Sequence, residues 1–281
     1  MIGAIAGGYL MEHGNVRVLL QPAELIIIGG AAIGTLLIAN PLPVIISILK
    51  GIAGVFGSKK FTKDFYLNTL KMLNDIFARG RKGGLVSLEN DVEEPEKSEV
   101  FKKYPELLKN HHAVHFICDT LRMAMTGGIS PFELDQLIEV DLDVHHKEQS
   151  RPVNALMHVA DSLPGLGIVA AVLGVVITMG ALGGPPAEIG HKVAAALVGT
   201  FLGILLCYGF FSPLAANMTH SNELESQYYH CLRTGLVAYI RGAAPILAVE
   251  FSRRSIPAEV RPSFKEMEAA CRGKAVESVA A

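Results

Sequence analysis

Thr35, Asn40, Ser47, Thr178, Thr200, Cys207, Tyr208 and Ser212 are polar side chains set inside long, otherwise apolar stretches of the chain. Oxygen-bearing groups in such places can line a path or coordinate a hard cation. They cannot bind and release a proton as a carboxylate does, so proton transfer along these stretches calls for a titrating carboxylate from a partner. The structural alternative for Thr and Ser is a bond back to the helix's own carbonyls. His111, His115 and Asp119 fall on one helix face at i, i+4 and i+8. That spacing also fits an ordinary solvated face, and no metal or cofactor is expected there. No phosphate loop, nucleophile elbow, H-E-x-x-H or dinucleotide fingerprint occurs, so an enzyme is not expected.

The stretches themselves set the class. A span needs about 20 mostly apolar residues to cross about 30 Å of hydrocarbon. Leu25 to Leu49, Ser162 to Ala187 and Val193 to Asn222 each run without one Asp, Glu, Lys or Arg. Charged residues make up only 19% of the chain, below the roughly 25% usual for soluble domains. Met1 to Met11 is apolar but too short to cross alone, and is read as part of a first span that begins upstream. Net charge is −2, which carries no nucleic-acid footprint. Cys118, Cys207, Cys231 and Cys271 are scattered, so reduced thiols are expected and not a disulfide framework.

Lys and Arg orient the spans. Residues 50–151 hold 15 of them and residues 233–274 hold 8, whereas the short connections hold only Arg17 and Lys192. The large middle region and the tail are therefore placed in the cytoplasm, with both termini inside and short outer loops near 12–24 and 184–192. The expected fold is all-α: a polytopic membrane protein with four transmembrane helices and a helical cytoplasmic domain. Residues 1–49 hold the first two spans, 50–160 the cytoplasmic domain, 161–222 spans three and four, and 223–281 a cytoplasmic tail.

Within that frame, Phe61 to Arg79 has helical apolar spacing closed by Gly83-Gly84. Glu89 to Glu99 reads as a loop or helix start, and Tyr104-Pro105 opens another helix. Ser130-Pro131-Phe132-Glu133 is a capping box with Pro at the first position, opening a helix expected to end near Lys147. The tail reads as helical to about Tyr239 and loosely ordered beyond Pro257. Gly30/Gly34, Gly167/Ala171 and Gly199/Gly203 are small-x-x-x-small pairs that suit close helix packing, within the chain or between chains. Pro164, following Asp161-Ser162, fits a helix start, and Pro213, inside an apolar run, should bend or interrupt a helix.

Several of these strings carry a family resemblance over nearly the whole chain. Gly8-Tyr9-Leu10-Met11, Gln21-Pro22-Ala23-Glu24-Leu25 and Ser87-Leu88-Glu89 are three of them. Asp161-Ser162-Leu163-Pro164-x-x-Gly167-Ile168-Val169-Ala170-Ala171 is longer. Val198-Gly199-Thr200-Phe201-Leu202-Gly203-Ile204-Leu205-Leu206 leads into Tyr208-Gly209-Phe210, and Arg261-Pro262-Ser263-Phe264 lies in the tail. They resemble the MotA family of flagellar stator membrane subunits. The resemblance implies a pentameric ring in the bacterial inner membrane around a pair of MotB-like single-span chains. Those chains supply the proton-binding Asp, and the ring drives the rotor protein FliG. It also implies roles by position. Thr200 faces the partner's Asp, Ala171 stands where sodium-driven relatives carry a second Thr, and Tyr208 joins them along the ion path. Pro164 and Pro213 couple protonation to motion, and Arg81 and Glu89 engage the rotor. Ala171 favours protons over sodium. Compared with the family, the N-terminus stops short, as a misassigned start or a genuine truncation would leave it. An ExbB or TolQ type subunit is the alternative, although such subunits typically have three spans with the N-terminus outside. A membrane enzyme or scaffold has no nucleophile or metal constellation in its favour.

Overall fold

A computed structural model describes residues 1–55, 57, 61–180 and 182–273. Its helices run, in chain order, α1 (Ile2–Met11), α2 (Val16–Leu19), α3 (Pro22–Ala39), α4 (Leu42–Val55), α5 (Lys63–Gly83), α6 (Glu89–Glu93) and α7 (Pro105–Leu108). There follow α8 (His111–Thr126), α9 (Pro131–Met179), α10 (Pro186–Leu206), α11 (Ser212–Ile240), α12 (Pro245–Ser255) and α13 (Phe264–Cys271). No strand occurs among the described residues. The chain divides into two compact units. One is Met1–Gly57 with Glu148–Ser221; the other is made of the described residues within Ser58–Lys147 and Asn222–Ala281.

The first unit is turned inside out by the standards of a water-soluble domain. Ile26, Ile33 and Ile38 on α3 and Val172, Val176 and Ile177 on α9 are exposed. A surface of that composition belongs against lipid or other apolar helices. Three helical stretches are long and apolar enough to cross a membrane: Pro22–Ala39, Pro131–Met179 and Pro186–Ile240. Ile2–Met11 and Leu42–Val55 are apolar but shorter. The run Leu25 to Leu49, expected as one span, is broken. Asn40 is extended at φ −133° and ψ 142°, because the residue before a proline is driven out of the helical region by the Pro41 ring. Ile28, Ala32, Val159, Ala160, Leu163, Ala170 and Cys207 form one core of this unit. Ile48, Val153, Leu156, Ala215 and Met218 form another.

Prolines act differently from expectation in two places. The capping box at Ser130 forms, with Ser130 N–H donating to Glu133 Oε2 at 2.8 Å and Glu133 N–H donating to Ser130 Oγ at 3.2 Å. The helix it opens does not stop near Lys147 and restart at Pro164. It continues as α9 through Pro152 and Pro164 to Met179. A proline removes one hydrogen bond from a helix but need not end it when packing supports both sides. Ahead of Pro213 the expected interruption is a π-helical segment, Cys207–Phe211. There Ser212 N–H reaches back five residues to the Cys207 carbonyl, as π-bulges do.

The second unit has one large core, including Tyr66, Phe77, Phe101, Ile117, Tyr228 and Leu232. Its helices are locally specified. Thr62 accepts from Phe65 N–H to cap α5, and Gly84 ends that helix at φ 77°. Asn110 caps α8, followed by Gly127 at φ 70°. Positive φ at both stops is the conformation glycine adopts without penalty. From Pro257 to Gly273 the tail is ordered, not loose, and the rest of it lies outside the described residues: Ser263 and Glu266 form a complete capping box for α13. Met267 is wholly buried, and Lys63 Nζ donates to Glu266 Oε1 at 2.8 Å.

Candidate functional site

The polar residues of the apolar stretches separate into two kinds. Thr35 donates to the Ala31 carbonyl at 2.9 Å, Ser47 to Pro43 at 2.9 Å and Thr178 to Gly174 at 2.8 Å. Asn40 Nδ2 donates to Leu36 at 3.2 Å. These groups bond one turn back along their own helix, and the three hydroxyls have no donor proton left to offer. Thr200 differs. It is half-buried midway along α10, and its hydroxyl makes no such bond among the described residues.

Thr200 sits where α9 and α10 press together. A Cβ on Gly167 would lie 2.8 Å from the Gly199 carbonyl oxygen and 3.3 Å from Thr200 Cα. One on Gly203 would lie 2.5 Å from the Leu163 carbonyl oxygen, and one on Gly174 2.7 Å from Ala196 Cβ. The two small-residue pairs in these helices thus pack against each other within one chain. Gly30 and Gly34 on α3 have nothing within 4 Å of where a Cβ would stand. Ala171 belongs to the same crossing, its backbone nitrogen 3.2 Å from a Cβ on Gly199. Pro164 is half-buried in α9 one residue from the Leu163 carbonyl that meets Gly203. Tyr208 lies in the π segment and is exposed. Pro213, in the first turn of α11, is also exposed. Thr200 and Ala171 therefore belong to one crossing, and Pro164 lies next to its Leu163–Gly203 contact, while Tyr208 and Pro213 stand farther along the chain at the π segment.

One ionisable residue of this unit escaped the sequence reading. Glu24 falls at the end of the stretch expected as an outer loop near 12–24. It occupies the first turn of α3, is 8% exposed, and its Oε2 has no hydrogen-bond partner. That oxygen lies 2.7 Å from where a Cβ on Gly199 would be. Pro22 was the available signal: proline favours the first turn of a helix, which moves the start ahead of Glu24.

In the second unit, Arg81 ends α5 and Glu89 begins α6, both exposed. Neither makes an ion pair among the described residues. Their sequence neighbours do. Arg79 Nε lies 3.2 Å from Asp91 Oδ2, and Ser98 Oγ donates to Asp91 Oδ1 at 2.6 Å. Arg122 bridges Glu93 at 2.9 Å and Asp119 at 2.6 Å. His111, His115 and Asp119 do share an exposed face of α8, but Asp119 is engaged by Arg122. No group of three such side chains among the described residues could hold a metal. Burial pushes the Cys118 thiol up to about 12, which keeps it protonated and unreactive at neutral pH.

Two family models match the chain. Residues 1–84 match the motility protein A N-terminal family, and residues 108–230 match the MotA/TolQ/ExbB proton channel family. Motility protein A of Escherichia coli is 42% identical over 268 residues, covering 95% of this chain and 91% of that protein. The Salmonella typhimurium protein of the same name matches equally. Chemotaxis protein LafT of Vibrio parahaemolyticus is 36% identical, covering 94% of this chain and 93% of its own. In fold, the chain is similar to a structure of C. jejuni MotAB, with a TM-score of 0.75 at 17% identity over 93% of this chain and 94% of that one. It is also similar to the flagellar MotAB stator complex from Bacillus subtilis, with a TM-score of 0.69 at 22% identity over 92% and 96%.

Proposed function

The chain belongs to the motility protein A family, within the MotA/TolQ/ExbB proton channel proteins, and we propose that it is the membrane subunit of a flagellar stator that turns proton flow into torque. The observation that carries this is Thr200: a hydroxyl left free of its own helix at the α9–α10 crossing, within a run from Val193 to Leu206 that holds no Asp, Glu, Lys or Arg. A MotB-like single-span partner supplies the proton-binding Asp that these spans lack. The relatives solved as MotAB complexes support such a partner.

Several copies of the chain, five by family analogy, surround that partner in the inner membrane. The distribution of Lys and Arg supports four spans with both termini in the cytoplasm. Thr200, Ala171 and Tyr208 line the ion path. Ala171 offers no oxygen ligand to a hard cation, which favours protons over sodium. Pro164 and Pro213 are the bending points that couple protonation to movement. Arg81 and Glu89, exposed and without ion pairs, meet the rotor protein FliG through its charge pattern. The match of residues 1–84 to the motility protein A N-terminal family favours this role over an ExbB or TolQ type subunit.

The test is complementation. The chain, expressed with its MotB-like partner in a stator-less flagellate strain, should restore swimming in sodium-free medium, and a protonophore should stop it. Swimming that requires sodium would reassign the ion. A chain present in the membrane that never restores swimming would favour the ExbB or TolQ type instead.

A further inference from the structure

We propose that Tyr239, in the last turn of α11, is the positioning residue that fixes how Arg81 and Glu89 are set toward the rotor. The inference rests on the rotor-facing role given to that pair above and adds the residue that holds the two in register.

The arrangement centres on Gly80 of α5. Gly80 is buried, and a Cβ there would fall onto the Tyr239 hydroxyl oxygen and lie 2.9 Å from Leu88 Cδ1. Tyr239 and Leu88, which closes the 3-10 turn Leu85–Leu88, thus meet over one backbone notch. Arg81 is the residue after Gly80, and Glu89 is the residue after Leu88. Each exposed charge therefore stands one residue from a wall of the same notch. The charge of Arg81 is also felt at the Tyr239 hydroxyl.

Packing leaves the tyrosine one orientation. Its ring stacks on Phe77, one helical turn before Arg81, with centroids 4.4 Å apart and planes 11° from parallel. Phe77 and Leu88 are almost wholly buried, and Tyr239 is 7% exposed. A tyrosine has few rotatable bonds, so a seated ring holds its polar tip at a set place. The backbone beneath it is fixed as well. Gly242 N–H donates to the Tyr239 carbonyl at 2.9 Å, and Ala243 N–H donates to the Ala238 carbonyl at 3.1 Å. With Gly242 at φ 95°, these bonds close α11 in a Schellman motif. Recognition by charge pattern depends on the spacing of the charges. Arg81 and Glu89 have no ion-pair partner to set that spacing, so it must come from their backbones. The end of α5 cannot part from Leu85–Leu88 without opening the seat that Tyr239 fills.

Two measurements decide it, both on the full chain with its single-span partner. In the first, Tyr239→Leu, Tyr239→Phe and Gly80→Ala are compared with the unaltered chain for membrane level and for the speed step that each added stator gives in tethered cells. Tyr239→Leu loses the stack, and Gly80→Ala pushes the hydroxyl from the notch. Both should reach the membrane and give steps of about half the normal height or less. Tyr239→Phe keeps the stack and should recover most of the height. A purely structural role would lower membrane level and the number of steps while leaving their height unchanged, and that result would overturn the assignment. Normal steps from Arg81→Glu and Glu89→Lys would strike the rotor-facing role of the pair instead. In the second, spin labels are placed on Arg81→Cys and Glu89→Cys, and the distance between them is read by pulsed electron resonance in the purified complex. Labelled copies are diluted with unlabelled ones. Cys118, Cys207 and Cys231 are buried, and Cys271 is replaced by serine. Tyr239→Leu and Gly80→Ala should broaden or shift the distance distribution, and Tyr239→Phe should leave it near normal. An unchanged distribution in Gly80→Ala would overturn the proposal even where Tyr239→Leu fails to accumulate.

Discussion

Gly167 of α9 and Gly199 of α10 approach so closely that a Cβ on the first would sit 2.8 Å from the carbonyl oxygen of the second. Contacts this short leave no room for the smallest side chain, and Gly203 repeats the pattern against the Leu163 carbonyl at 2.5 Å. The obstructing atoms are backbone, which cannot swing away as a side-chain tip could. Gly167→Ala or Gly203→Ala should therefore force α9 and α10 apart and cost about 1–3 kcal/mol, the usual range for overpacking. Thermal unfolding of the detergent-purified chain measures that loss. Gly30→Ala, with nothing within 4 Å of its Cβ position, should leave the same transition unchanged. Lost assembly with normal folding in that variant would mark α3 as a contact between chains.

The free hydroxyl of Thr200 makes a sharper prediction than its position alone. Thr200→Ala should abolish proton uptake by vesicles containing the chain and its partner, while Thr200→Ser, which keeps the hydroxyl, should retain a large part of it. Thr35→Ala is the control. Its hydroxyl is spent on the Ala31 carbonyl at 2.9 Å, so its removal should leave conduction close to normal. Equal effects of Thr35→Ala and Thr200→Ala would remove Thr200 from the path.

Acid should weaken the second unit in a defined window. Hydrogen bonds from Arg253 foremost, and then Arg254, hold the Glu250 carboxyl at about 2, against the opposing effect of burial. The bonds are short: 2.7 and 2.8 Å from Arg253 and 2.9 Å from Arg254. A carboxyl whose value is lower folded than unfolded stabilises the fold fully above its unfolded value of 4.5. That contribution is lost as pH falls toward about 2. Helical circular dichroism with denaturant at pH 6 and pH 3 should show lower stability at the acid end. Glu250→Gln should reduce the difference between the two.

How much of this was readable beforehand depended on what each residue type can signal alone. Apolar length without charge marks a membrane stretch, so the polar set that holds Thr200 could be picked out, as could the cap at Ser130. Hydropathy is blind to backbone dihedrals, so the break at Asn40 was hidden although Pro41 announced it. Proline is ambiguous: Pro131 opens a helix and Pro164 rides inside the same one, and only tertiary packing distinguishes the two uses. Ser263 and Glu266 carried a legible cap, yet its value was missed because Met267 and its burial partners lie far apart in sequence. Glu24 was placed outside the membrane by its charge. What buries it is the room beside Gly199, where its Oε2 lies 2.7 Å from a Cβ position, a feature of two helices that no single stretch of sequence encodes. Which hydroxyl lacks a carbonyl partner likewise becomes visible only once the helices exist.

Arg79 and Arg81 stand two residues apart on α5 and should behave as different kinds of residue. Arg79 grips Asp91 at 3.2 Å. Asp91 is 5% exposed and also accepts from Ser98 at 2.6 Å, so this pair fastens the turn after α5. Asp91→Asn should destabilise the chain by roughly 1–3 kcal/mol, the cost of weakening a largely buried polar contact, and lower its level in the membrane. Arg81 and Glu89 are exposed and make no ion pair among the described residues, and exposed charges of that kind contribute only about 0–1 kcal/mol to folding. Arg81→Glu and Glu89→Lys should therefore leave unfolding and membrane level unchanged while removing torque in tethered cells. A compensating charge reversal on the rotor side should return part of the torque. If Arg81→Glu instead lowered the membrane level as Asp91→Asn does, its role would be in folding and the rotor contact would have to be sought elsewhere on this unit.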